Sequence, residues 1–231
     1  MSLENDLKAQ VAKVFSSDWG VRKGQNVPES KDIQLGNDAV ELDATVLYAD
    51  LDGSTNLVDN YNPLFAAEIY KNYLYCAAKL IRSQGGVITS YDGDRIMAIY
   101  VGGKKNTLAA KTALKINWMV ANIINPAIGK YYDSGYNINQ VVGIDTSGLT
   151  AARTGIRGSN DIVWVGRAAN YAAKLTELSS DFPSWITDDV YRAMLDEAKY
   201  SSDGERPMWE AQLWTKMGNM RIYRSTWGWK I

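Results

Sequence analysis

The sequence predicts an α+β domain, an antiparallel-rich sheet with helices on one face. Three observations carry this. Short apolar runs alternate with longer stretches of 3.6-residue periodicity. The strand-like runs come largely in pairs around turns that contain glycine. Their order is strand, helix, hairpin, helix, hairpin, helix and a closing strand pair, as in a layered α+β fold.

Residues 7–15 have the spacing of a short helix, and 24–36 are polar and rich in breakers. Residues 1–43 therefore read as an N-terminal helix and strap before a domain spanning 44–231. The apolar run 45–50 is a buried-type strand, and Gly53-Ser54-Thr55 turns the chain toward a helix start. The next helix has Asn62 as its cap, Pro63 at its first position and Gly85-Gly86 as its stop. Phe65, Ile69, Tyr73, Cys76 and Leu80 form one buried stripe along it. Strands 87–91 and 95–101 enclose Asp92-Gly93, a tight-turn pair. A helix over 107–124 stops near Asn125-Pro126. Residues 137–144 and 149–154 read as another hairpin, followed by a short strand at 161–165. An alanine-rich helix over 166–178, a short helix over 188–198 and strands at 210–214 and 220–225 complete the chain.

Composition narrows the chemistry. The net charge of −1 over 231 residues provides no global field for nucleic acid or an anionic membrane. The 8 tryptophans and 14 tyrosines fall at core-like positions rather than along a basic groove. No run is long enough to span a bilayer and no signal peptide is evident, so a soluble, cytoplasmic setting is expected. The single cysteine, Cys76, has no disulfide partner and reads as a buried inert thiol. Histidine is absent, which excludes His triads, His-ligated zinc and imidazole acid–base catalysis. Carboxylates, lysine, arginine, hydroxyls, amides and bound metal remain.

Asp50 ends the first predicted strand, and Asp94 immediately follows the Asp92-Gly93 turn. If that strand lies beside the hairpin, the two aspartates meet at one end of the sheet. Such a pocket suits a hard divalent cation, since Mg²⁺ is held by one or two carboxylates plus substrate phosphates. Two such ions fit in-line phosphoryl chemistry. Tyr48 points to the same face as Asp50, either to narrow a pocket or as a core aromatic. Gly53, Ser54 and Thr55 offer backbone amides to phosphates near a helix start, while Asp52 reads as ordinary turn chemistry. Asn170 and Lys174, four apart on a helix, aim an amide and an ammonium at one point, unless they are simply a solvated face. Lys216 either grips phosphates or is a surface lysine.

Together these residues resemble the catalytic domain of the class III nucleotide cyclases, over roughly 44–225. Tyr48-Ala49-Asp50-Leu51-Asp52-Gly53-Ser54-Thr55 is similar to the first metal-aspartate motif, and Gly93-Asp94 to the second. Gly166-Arg167-Ala168-Ala169-Asn170-Tyr171-Ala172-Ala173-Lys174-Leu175 is similar to the signature helix. The resemblance implies a ferredoxin-like core and a head-to-tail homodimer. It places two equivalent sites at the interface, with aspartates from one chain and helix residues from the other. It implies attack of a ribose 3′-hydroxyl on a nucleoside triphosphate α-phosphate. Asp50, Asp94 and the Leu51 backbone carbonyl would hold two Mg²⁺ or Mn²⁺ ions, and Asn170 would orient the ribose or the transition state.

Three positions depart from the family pattern. Lys174 replaces the usual arginine and lacks its planar fork. Ser90 stands where adenylate cyclases carry a base-reading lysine. Val163 stands at the partner base-reading position, with Asp161 and Trp164 as neighbours. Serine and valine would serve a purine edge poorly. The pattern is similar to the compact pyrimidine cyclases of bacterial Pycsar antiphage systems, which signal to a separate effector through cyclic UMP or cyclic CMP. The resemblance implies a uridylate cyclase acting on UTP. Cytidylate or adenylate cyclase, or an inactive nucleotide-binding regulatory dimer, are the alternatives.

Overall fold

Two long strands organise the domain in the computed structural model, which describes residues 2–133 and 135–231. Strand β2 (Asp38–Asp52) pairs antiparallel with β5 (Asn139–Ile156) without interruption from Ala39↔Ala152 to Asp52↔Asn139. The hairpin β3 (Val87–Asp92) and β4 (Arg95–Val101) lies on the other side of β2. The order β3-β4-β2-β5 is antiparallel throughout. Helix α3 (Pro63–Ser83) lies between β2 and β3 in the chain, and α4 (Lys105–Met119) lies between β4 and β5. This is the ferredoxin-like arrangement. Beyond β5 the sheet continues through β7 (Ser184–Thr187, parallel to β5), β9 (Met220–Ser225) and β8 (Glu210–Trp214). Strands β1 (Gly20–Lys23) and β6 (Ser159–Val165) pair with the far ends of β2 and β5, so β5 and β6 form a projecting arm.

Helix α3 forms as its caps predict, with Asn62 accepting from the Leu64 N–H at 2.8 Å. Its stripe of Phe65, Ile69, Tyr73 and Leu80 is buried against Leu47, Ala49 and Ile96. Each such large apolar side chain contributes about 1.5–3 kcal/mol on burial. Cys76 is half-buried, and burial pushes its thiol pKa up.

Several sequence expectations are corrected. Residues 137–144 and 149–154 are not a hairpin but parts of the single strand β5. The run Asp145-Thr146-Ser147-Gly148 looks like a turn, yet tertiary partners satisfy its polar groups. Asp145 is fully buried against Thr187 and Arg167, and Ser147 Oγ accepts from the Ala168 N–H at 3.0 Å. The helix from α4 does not stop at Pro126. A π-turn over Val120–Ile124 carries it into α5 (Asn125–Tyr131). Proline at the start of α5 sits where its missing N–H matters least. Helices cover both faces of the sheet, not one. Helix α6 (Arg167–Leu175) packs with Val40, Leu42, Val46 and Met97, opposite α3 and α4. Strand β2 already begins at Asp38, so the expected boundary between residues 43 and 44 falls inside a strand. Helix α1 (Leu3–Ser16) has no buried residue and is tethered by Asn37, whose amide donates to the Val14 and Ser17 carbonyls.

Candidate active site

Asp50 lies near the end of β2, and Asp94 sits in the tight loop Gly93-Asp94 between the paired residues Asp92 and Arg95. Gly93 has φ 61°, a conformation that side-chain-bearing residues rarely adopt, which lets the hairpin close so tightly. The aspartates come together: the charge on Asp94 raises the pKa of Asp50, although burial of Asp50 is the larger cause. Arg95 opposes both. Its Nε and Nη2 donate to the same Asp50 oxygen at 3.0 and 2.8 Å. Asp94 Oδ2 is buried and has no hydrogen-bond partner.

One row of side chains leads away from the aspartates on the same face. Paired residues on neighbouring strands share a face, so Tyr48↔Met97 and Met97↔Ser90 align three strands. A bulge between Ile88 and Ser90 sets this register. Tyr48 is half-buried, and its phenol pKa is raised chiefly by burial. The Arg95 guanidinium lies 5.9 Å from its ring centroid. Val163 is not in this row. The pairings Val163↔Ala152↔Ala39 put it on the opposite face, where it lines a groove of about 590 Å³ with Leu7, Val14 and Ile156. Asp161 shares the Val163 face, whereas Trp164↔Ala151↔Val40 shares the Tyr48 face.

Gly53 caps the short helix α2 (Ser54–Asn60) with φ 72°, and Ser54 and Thr55 open that helix beside Asp50. Asp52 is a structural contact, accepting from Ser180 Oγ at 2.6 Å. Helix α6 lies over β5. A β-carbon on Gly143 would meet the Ala172 carbonyl oxygen at 2.2 Å, so only glycine permits that approach. At the start of α6, Arg167 donates to buried Asp145 at 3.0 and 3.2 Å, to the Thr146 carbonyl, and to Asp189. Burial raises the Asp145 pKa, while Thr187 and Arg167 pull it back. Asn170 and Lys174 are exposed on the outer face of α6. Lys174 Nζ lies 4.0 Å from Met217 Sδ, in the turn that carries exposed Lys216.

This geometry has clear relatives. The chain is 51% identical over 233 residues to a uridylate cyclase from Xanthomonas perforans, covering 100% of both chains. It is 50% identical over 233 residues to a uridylate cyclase from Burkholderia cepacia, again over 100% of both. This chain belongs to the uridylate cyclase family. Its fold is that of the class III cyclases: the guanylyl cyclase Cya2 superposes with a TM-score of 0.68 at 16% identity, over 82% of this chain and 94% of that one. No protein-family model matches the chain.

Within this uridylate cyclase family member, the acidic end fits a divalent cation. Asp94 offers a buried oxygen with no partner, and Asp50 carries a charge that burial and Asp94 both disfavour. A bound cation would relieve each. Among the described residues no cluster of three or more His, Cys, Asp or Glu side chains forms a metal cage. Two carboxylates are the protein share expected when substrate phosphates complete the shell. Sequence reasoning missed Arg95, Met97 and the Arg167–Asp145 pair. Arg95 had a signal: it follows Asp94 directly and starts the strand beside β2, on the Asp50 side. The Arg167–Asp145 pair, 22 residues apart in the chain, had none.

Proposed function

We propose that this protein converts UTP to 3′,5′-cyclic UMP and pyrophosphate. The end-to-end match at half identity to relatives named uridylate cyclases carries this reading. The row Tyr48–Met97–Ser90 supports the choice of base. The Tyr48 phenol narrows this row, and Ser90, where adenylate cyclases carry a lysine, serves a purine edge poorly.

The ribose 3′-hydroxyl gives its proton to solvent water, and its oxygen bonds to the α-phosphorus. The bond from that phosphorus to the bridging oxygen breaks, and pyrophosphate leaves. Asp50, Asp94 and the Leu51 carbonyl would hold two Mg²⁺ or Mn²⁺ ions, which would acidify the attacking hydroxyl and neutralise the leaving phosphates. The amides of Gly53, Ser54 and Thr55 and the ammonium of Lys216 bind the triphosphate. Asn170 orients the ribose, and Lys174 meets the charge developing on the transferred phosphoryl group. Ser90 and Tyr48 contact the base. Val163, on the opposite sheet face of its own chain, reaches a base only across a dimer. A head-to-tail homodimer joins the Asp50–Asp94 end of one chain to the outward face of α6 on another. The exposure of Asn170 and Lys174 supports that assembly. Cyclic UMP then acts as a diffusible signal in antiphage defence, read by a separate effector.

The test is product formation from ATP, GTP, CTP and UTP separately with Mn²⁺, read by mass. Cyclic UMP from UTP alone is expected. Product mainly from CTP or ATP overturns the base assignment, and no product with retained nucleotide binding favours a regulatory dimer.

A further inference from the structure

We infer that Arg167 is a positioning residue for the reaction: its two-pronged grip on buried Asp145 fixes the rotation and height of α6, and so the aim of Asn170 and Lys174. This rests on the proposed roles of those two side chains. Helix α6 is 9 residues long, and its buried face is Ala168, Ala169 and Ala172, with Leu175 at the far end. Alanines interlock weakly, so apolar packing alone leaves the helix free to roll or slide over β5. Polar contacts at its start remove that freedom. Arg167 Nε and Nη2 donate to the two oxygens of Asp145 at 3.0 and 3.2 Å, and Nη2 also reaches the Thr146 carbonyl at 2.8 Å. The Ala168 N–H donates to Ser147 Oγ at 3.0 Å, and a β-carbon on Gly166 would meet the Gly148 carbonyl oxygen at 2.7 Å. Residues 145–148 of β5 thus form a cradle for residues 166–168.

Stability does not call for either charge. A cation in the first turn of a helix opposes the helix dipole. A carboxylate buried in a sheet loses its water, and a buried ion pair is often no more stable than well-packed apolar residues of similar volume. What such a pair supplies is orientation. A guanidinium meets a carboxylate with a planar fork, which lysine lacks. Asp145 is itself held, accepting from Thr187 Oγ1 at 2.6 Å, so β5, β7 and α6 meet at one fully buried carboxylate. Asn170 stands about 4.5 Å along the helix axis from Arg167, and Lys174 about 10.5 Å. A roll at the helix start therefore moves both groups together.

The experiment measures kcat and KM for UTP with Mn²⁺ on the full chain, beside urea unfolding curves. Arg167→Lys keeps a cation on Asp145 but loses the fork, and should lower kcat at least about tenfold with KM within about twofold. Asp145→Asn, which keeps an oxygen for Thr187, should do the same, and it serves if Arg167→Lys does not fold. Asp189→Asn removes only the outer partner of Arg167 and should leave kcat unchanged. In a Lys174→Ala background the Arg167→Lys loss should shrink at least about threefold, since one of the groups it aims is gone. If Asn170→Ala and Lys174→Ala lower kcat while folded Arg167→Lys and Asp145→Asn keep it, the inference is overturned and the reading of α6 stands. If Asn170→Ala and Lys174→Ala keep kcat, that reading fails and the inference with it. An Arg167→Lys loss undiminished in the Lys174→Ala background, or matched by Asp189→Asn, also overturns it, because the pair then serves the fold or the local charge and not the aim of α6.

Discussion

Replacing Gly143 with alanine tests whether the position of α6 sets the rate. The new β-carbon would stand 2.2 Å from the Ala172 carbonyl oxygen, 2.7 Å from Leu175 Cβ and 3.1 Å from the Thr176 nitrogen. Two of these are backbone atoms, so no side-chain rotation clears them. Going from 2.2 Å to the 3.0 Å floor of real contacts means that α6 recedes by about 0.8 Å. Such overpacking costs about 1–3 kcal/mol of stability, and Asn170 and Lys174 ride on the displaced helix. A misplacement near 1 Å costs on the order of a hundredfold in rate. That is about 2.7 kcal/mol of transition-state stabilisation. The assay is the initial rate of cyclic UMP formation from UTP with Mn²⁺, alongside a urea unfolding curve. Gly148→Ala, on the same strand with no heavy atom within 4 Å of its added β-carbon, is the control. It should stay within about 0.5 kcal/mol of wild type in stability. A folded Gly143→Ala protein with wild-type kcat would refute the reasoning.

Three further outcomes are expected. Asp50→Ala and Lys174→Ala should each lose at least about a hundredfold in turnover, and mixing the two variants should restore one site per heterodimer; an unrescued mixture argues against a site shared between chains. Asp145, with its folded pKa raised by burial, binds a proton more tightly folded than unfolded. Its contribution is therefore fullest below the unfolded value of about 3.9 and is lost as pH rises through the folded pKa. Asp145→Asn should flatten that part of the stability–pH curve, as followed by urea unfolding. Cys76, its pKa raised by burial, should react with a disulfide reagent at pH near 8 more slowly than free cysteine, and unfolding should abolish the difference.

What was legible in the sequence was mostly local. The caps of α3, the tight β3–β4 turn and the closing strands follow from neighbours in the chain. So do Asp50 and Asp94, each marked by its own turn, whose meeting needs only that β2 lie beside a hairpin. The continuity of β5 was hidden, because Asp145 and Ser147 look like turn residues until Arg167, Thr187 and Ala168 are brought to them. Strands β1 and β7 span four residues each, too few for a period to emerge. The face chosen by α6 was invisible for a different reason. A helix with one apolar side does not say which side of a sheet it will cover. The face of Val163 depends on counting across three strands, which no local pattern encodes.

Strand β5 works as a ruler. Its 18 residues begin beside the acidic end, pass beneath α6 and run out into the arm. Because side chains alternate, adding or removing one residue between Gly143 and Thr150 would invert every face beyond it. Ala151 and Trp164 would trade sides with Ala152 and Val163, while the backbone ladder could still form. The number of residues in this stretch is therefore as tightly set by the sheet as the glycine at 143 and the buried carboxylate at 145.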